Sequence, residues 1–166
     1  MTTRSQILRK EQILSDLTET RQEILVEASS LSNEQQDQVF LGTWSVKDLL
    51  AHLIGWDHTN LDAAKSVLER RLPAFYEHYD REWQLYNAML VKKYKKKSTR
   101  DLITNATASQ AELIEFLQTI PPEYFNQDFG VRFRGYKVTI QRLLEAETED
   151  ERTHLEQIRD YFRALT

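Results

Sequence analysis

Apolar residues recur at three- and four-residue intervals along most of the chain, the signature of helices that bury one stripe. Leu14, Leu17, Ile24, Leu25 and Ala28 form such a stripe with Glu, Arg and Lys on the other face, predicting a first helix over residues 5–29. Ser32 followed by Gln35 reads as a capping box and predicts a short helical turn before the loop at Leu41-Gly42-Thr43. A second box, Ser45 with Asp48, opens a long helix in which Val46, Leu49, Leu50, Leu53, Ile54, Leu61, Ala64 and Leu68 face inward as far as about residue 70. Pro73 breaks it, and the polar, aromatic segment after it holds Phe75, Tyr76 and Tyr79. A shorter helix is expected over residues 81–96, and a third box, Ser98 with Asp101, opens a helix that buries Leu102, Ile103, Leu113, Ile114 and Leu117. Pro121-Pro122 ends that helix, since proline neither donates to the ladder nor tolerates a helical predecessor.

Residues 125–136 change period: Val131 and Phe133 alternate with Arg132 and Arg134 between two glycines, which predicts an extended crossing or a stub of hairpin. The last helix is expected over residues 139–164. The pattern as a whole is that of one all-α domain, residues 1–166, built as a four-helix bundle with a short extended segment before the last helix. Ser45-Val46-x-x-Leu49-Leu50 is echoed by Thr139-Ile140-x-x-Leu143-Leu144, which fits two matched helix pairs but also ordinary helix-start grammar.

Composition narrows the function classes. The chain has no cysteine, which excludes disulfides, thiolate metal sites and a cysteine nucleophile, so any metal must be held by His and carboxylates. The N-terminus has no apolar signal core and no stretch approaches a membrane span, so a soluble cytoplasmic protein without a membrane partner is expected. The net charge of −4 argues against a nucleic-acid partner, and the basic run Lys92–Lys97 reads as a solvated helix end. There is no Gly-rich phosphate loop, and Ser45 is committed to its cap rather than free as a nucleophile.

The last helix carries the main anomaly. Its inward stripe begins with Ile140, Leu143 and Leu144 and resumes with Leu155, Ile158, Phe162 and Leu165. Between them the same face offers Glu147, Asp150, Glu151 and His154. Carboxylates buried without partners are costly, so the polar gap needs a cause. Asp150 and His154 are four apart, stacked one turn above each other, the spacing at which two side chains of one helix grip one cation. His52, between Leu49 and Leu53 on the second long helix, is the candidate third ligand. Two imidazoles and a carboxylate suit Zn²⁺, Ni²⁺ or Fe²⁺ with positions left open for water or substrate. Two plainer readings stay open on the residues alone: such a pair arises by chance, and a small rotation of the helix leaves Asp150 on the flank and His154 an ordinary half-buried histidine. His58 and His78 read as surface residues.

The segment Gly42-Thr43-Trp44-Ser45-Val46-Lys47-Asp48-Leu49-Leu50-Ala51-His52-Leu53-Ile54-Gly55-Trp56 resembles the start of the second helix in the DinB-like superfamily. Thr153-His154-Leu155-Glu156-Gln157-Ile158 is similar to its closing motif, and residues 79–125 resemble the branch that includes the colibactin self-protection proteins. The resemblance implies an up-down-down-up four-helix bundle, often a homodimer, and in many members a divalent metal held by one residue of the second helix and two of the last. His52 matches the first position and His154 the last, while Asp150 stands where histidine is common and the mycothiol-dependent isomerases carry glutamate. It further implies chemistry such as transfer or isomerisation with a low-molecular-weight thiol, or small-molecule hydrolysis.

Two functions follow as expectations. The first is a metal-dependent enzyme acting on a small molecule, with His52, Asp150 and His154 on the metal and Glu147 or Glu151 as general base or supporting partner. The second is a non-catalytic bundle that sequesters a small molecule in a pocket between Trp56, Trp83 and Tyr86, in stress or detoxification.

Overall fold

Five helices open on a side-chain oxygen that accepts the backbone N–H three residues on, at Thr3, Ser32, Ser45, Ser98 and Thr139. Each cap satisfies a donor that the helix itself cannot. At Thr3, Ser32 and Ser45 the box is complete, with Gln6, Gln35 and Asp48 bonding back to the cap N–H. At Ser98 only the forward bond to the Asp101 N–H forms, so the third expected box is half made. The resulting elements, in a computed structural model that describes residues 1–79 and 83–166, are six helices and two small hairpins among the described residues.

Helix α1 (Arg4–Ser29) is followed by the short α2 (Asn33–Asp37) and a hairpin of β1 (Val39–Leu41) and β2 (Trp44–Ser45) that leads straight into α3 (Val46–Leu68). A 3₁₀ turn (Ala74–His78), α4 (Gln84–Tyr94), α5 (Thr99–Thr119) and a second 3₁₀ turn (Pro122–Tyr124) follow. Strands β3 (Arg132–Phe133) and β4 (Tyr136–Lys137) pair antiparallel, the expected hairpin stub, before α6 (Ile140–Ala164). The expected start of the fourth helix at residue 81 lies outside the described residues. No described helix is long and apolar enough to cross a membrane.

Contacts along the long helices fix their directions. Arg9 meets Glu145 near the start of both α1 and α6, and Arg159 meets Glu23 and Glu27 near their ends, so these two run parallel. Val46 shares a core with Leu102, and Val67 shares another with Leu117, so α3 and α5 also run parallel. Ile24 joins the core at the start of α3 and Leu17 the one at its end, so the two pairs are antiparallel to each other. The bundle is therefore up-down-down-up, with α4 laid across α3. There Gly55 permits close approach: a Cβ at this position would lie 2.7 Å from Leu90 Cβ.

Between the two apolar cores lies a charged layer. Arg21 of α1, 1% exposed, donates two bonds of 2.8 Å to Asp57 of α3, one to Glu151 of α6 and one of 2.9 Å to the Ala106 carbonyl of α5. Ser109 of α5 donates to Asp57 as well. One guanidinium thus ties all four long helices at the same height. Burial disfavours its charge, but Glu151 and Asp57 outweigh this and raise its pKa above the usual arginine range.

Removing one member of a buried ion network costs about 3–5 kcal/mol, because its partners stay buried and unpaired. Arg21→Met should lose stability of that order in urea unfolding, and adding Asp57→Asn with Glu151→Gln should recover part of it. Unchanged stability of the single variant would mean that the network does not hold the bundle.

Candidate metal centre and adjoining cavity

Antiparallel packing of α3 against α6 brings the second turn of one beside the middle of the other. His52 is 3% exposed, wedged between Leu49 and Leu53 with the Trp44 ring centre 4.9 Å from its own. From α6, Asp150 and His154 rise one turn apart toward it. His52 Nε2 lies 3.3 Å from Asp150 Oδ2, His154 Nε2 lies 3.2 Å from the same oxygen, and the two Nε2 atoms are 3.2 Å apart. The three residues singled out in the sequence therefore converge on a near-equilateral triangle of ligand atoms.

The triangle fits a small divalent ion. Ligands about 2.0–2.1 Å from a tetrahedral ion sit about 3.3–3.4 Å apart, and about 2.9 Å apart on one octahedral face. The observed edges fall between the two, nearer the tetrahedral value. His154 Nδ1 lies 2.8 Å from Gln157 Oε1; when that oxygen accepts, the proton sits on Nδ1 and the Nε2 lone pair points into the triangle. His52 Nδ1 is buried without a hydrogen-bond partner among the described residues.

Electrostatics separate the three groups. Burial pushes the His52 pKa down. At His154 burial also works downward, but the Asp150 hydrogen bond and charge win and raise it. Burial tends to raise the Asp150 carboxyl, yet the bonds to His154 and His52 hold it well below the usual carboxylate range. Its side chain is 48% exposed, so it sits on the flank of α6, as the plainer reading of the sequence allowed, while one oxygen still completes the triangle.

Beside the triangle opens a cavity of about 340 Å³, bounded by α3, α4, α6 and the aromatic turn. Trp56, Phe75, Tyr76 and Trp83 form its walls, with the Trp56 and Trp83 rings at 89° to each other. Trp56 Nε1 donates to Asn87, 2.7 Å away. Trp83 begins α4 in the left-handed region at φ 58°, an uncommon conformation for a bulky residue, found here on the cavity wall. Tyr86, expected with them, packs behind Trp56 instead: its hydroxyl lies 2.7 Å from the Thr59 hydroxyl, and it faces a neighbouring, smaller cavity.

The two glutamates part ways. Glu151 is fully buried and bonded to Arg21, and it does not line the cavity. Glu147 does line it, and burial together with Glu151 and Asp150 lifts its carboxyl well above the usual range. Sequence reasoning missed Asn60, Lys137 and Arg142 as lining residues, and Arg21 and Asp57 as the partners that explain Glu151. His58 stacks on Tyr94 and His78 is exposed, both outside the triangle. Ser45 is held by Asp48 as a cap.

A family model of the DinB superfamily matches residues 16–158, a span that holds all three triangle residues. The chain belongs to the DinB superfamily. Among solved structures it is similar to the colibactin self-resistance protein ClbS in complex with a dsDNA, with TM-score 0.79, 15% identity, and 95% of this chain and 97% of that one covered. It is also similar to an uncharacterised protein from Escherichia coli UTI89, with TM-score 0.73, 16% identity, and 93% of each chain covered. No curated protein matches the chain in sequence. At these identities the likeness establishes the fold.

The complex with dsDNA overturns the expectation that nucleic acid is excluded as a partner. Net charge was the wrong measure. Phosphate contacts depend on local clusters of cations, and a chain of net −4 still carries five lysines between Lys92 and Lys97 on one exposed helix end.

Glu147 generates a pH dependence. A carboxyl whose folded pKa is raised stabilises the fold below its unfolded pKa and loses that contribution as pH climbs through the folded value. In chelated protein, the melting-temperature advantage of Glu147→Gln over wild type should therefore widen from pH 5 to pH 8. A constant difference across that range would show that Glu147 is not held neutral.

Proposed function

We propose that this DinB-superfamily chain is a divalent-metal-dependent enzyme that takes a small molecule into the cavity beside His52, Asp150 and His154. The observation that carries this reading is the triangle itself: three potential ligand atoms, 3.2–3.3 Å apart, on two different helices. A bound divalent ion would supply Lewis-acid chemistry and ease deprotonation of a water or a low-molecular-weight thiol. The chain's own residues do the rest. Gln157 sets the His154 tautomer, Trp44 and the apolar core keep water from the His52 side, and Trp56, Phe75 and Trp83 shape the space next to the open face. Glu147 is the acidic side chain in that space placed to give or take a proton, whereas Glu151 acts through Arg21 on the framework. A protective role against a reactive small molecule is consistent with the likeness to a self-resistance protein.

A second reading has its own support. Two histidines and a carboxylate can share one proton, with His154 carrying it against Asp150, and need no metal. The aromatic cavity would then sequester rather than transform its ligand.

Metal content separates the two. Untagged wild type purified without chelator should carry close to one divalent ion per chain by inductively coupled plasma mass spectrometry, and His52→Ala with His154→Ala close to none. Equal, near-zero content in both proteins would end the enzymatic reading and leave the sequestering one.

A further inference from the structure

The cavity is long and its two ends differ in charge. Thr139, Arg142, Leu143, Ala146, Glu147 and Asp150 line it from one face of α6, at the spacing of a single helical stripe. Asp150 marks the end at the triangle. Arg142, eight residues earlier, lies about 12 Å away along the axis at about 1.5 Å per residue. It sits beside Lys137, whose carbonyl accepts a 3.1 Å bond from Arg142 Nη1. Both cationic side chains are exposed at the cavity rim, and neither forms an ion pair with a carboxylate among the described residues.

Midway, two deeply buried polar side chains face the same space with unused capacity. Asn60 Nδ2 and Glu147 Oε1 have no hydrogen-bond partner among the described residues, and both side chains line the cavity. Unpaired buried polar atoms are costly, and a ligand group that met them would remove the cost. Around them the walls are apolar and flat-sided: Trp56, Phe75 and Trp83 meet edge to face or tilted, at centroid distances of 5.3–6.4 Å.

We propose that the cavity binds an elongated organic anion. Its flat apolar body lies against the wall formed by Trp56, Phe75 and Trp83, and a polar group at mid-length meets Asn60 and Glu147. Its acidic group rests on Lys137 and Arg142. The orientation follows from Lys137 and Arg142, which hold an anion at the rim; at the other end Asp150 is already paired with His52 and His154, which leaves an anion no free cation there among the described residues of the metal-free protein. This rests on the reading of the cavity as a small-molecule site, but not on a metal being bound.

A suitable probe is 6-(p-toluidino)-2-naphthalenesulfonate, compared with its sulfonate-free parent N-(p-tolyl)-2-naphthylamine, in chelated protein. Binding is followed by probe emission and by quenching of tryptophan fluorescence. Wild type should favour the sulfonate roughly five- to tenfold, the size expected of two partly exposed charge pairs. Lys137→Gln with Arg142→Gln should abolish the preference and leave the parent's affinity unchanged, and Ala146→Trp, which fills the cavity from its exposed side, should weaken both probes. Equal affinity of wild type for the two probes, a preference that survives loss of both cations, or no binding of either probe would overturn the proposal. His52→Ala with His154→Ala should keep the preference, so a failure of the metal reading and a failure of this one give different results.

Discussion

Everything in this fold answers to three acids on one turn and a half of α6. Glu147, Asp150 and Glu151 all point toward the bundle interior or its cavity, where a carboxylate is costly unless something compensates it. Each receives a different compensation. Glu151 has the Arg21 guanidinium, which also reaches Asp57 and the Ala106 carbonyl. Asp150 has two imidazoles. Glu147 has neither, and burial with Glu151 and Asp150 nearby raises its carboxyl. The three carboxyls are shifted differently: Asp150 is lowered, Glu151 is raised by burial despite Arg21, and Glu147 is raised well above the usual range.

That division depends on helix direction. Because α1 and α6 run parallel, Arg21 can stand level with Glu151 while the end of α1 still reaches Arg159 through Glu23 and Glu27. Because α3 runs antiparallel to both, His52, two turns into that helix, faces Asp150 and His154 while Asp57, little more than a turn further on, faces Arg21. The capping box at Ser45 fixes where α3 begins and hence the height of every residue on it. Moving that start by one residue would rotate His52 by about 100° away from α6. A helix cap is in this sense part of the geometry of the site.

How much of this could be read beforehand varies with the range of the interaction. Caps, prolines and apolar spacing are local, and they located every long helix to within a residue or two, as at Arg4–Ser29 and Ile140–Ala164. The Asp150–His154 pair is local too, and His52 stood out as a histidine in an apolar stripe. Arg21 carried the same kind of signal, a charge between Leu17 and Ile24, and so did Asp57 between Ile54 and Leu61; each gains meaning only from the other, across 36 residues of sequence. Lys137 and Arg142 gave no signal at all, because a rim is defined by what surrounds it in space. Tyr86, expected in one pocket with Trp56 and Trp83, instead packs on Trp56 with its hydroxyl against that of Thr59, an orientation of α4 that the residues alone do not reveal.

The charge count around the triangle bears on what a cation there would do. Asp57, Asp150 and Glu151 would carry −3 against the +1 of Arg21, a net of −2 at most, since burial raises the Glu151 carboxyl as well as that of Glu147. A single proton on His154 removes one of those charges, and a divalent cation removes both. Where water is largely excluded, as around Glu147 and Glu151, unbalanced charge is resisted far more strongly than at the exposed flank that Asp150 occupies. Burial and the neighbouring Glu151 and Asp150 raise the Glu147 carboxyl, and a cation near Asp150 would oppose that shift. If the proposed metal binds, its affinity and the protonation of Glu147 would be coupled electrostatically, so the readiness of Glu147 to exchange a proton with a ligand would depend on whether the triangle is filled.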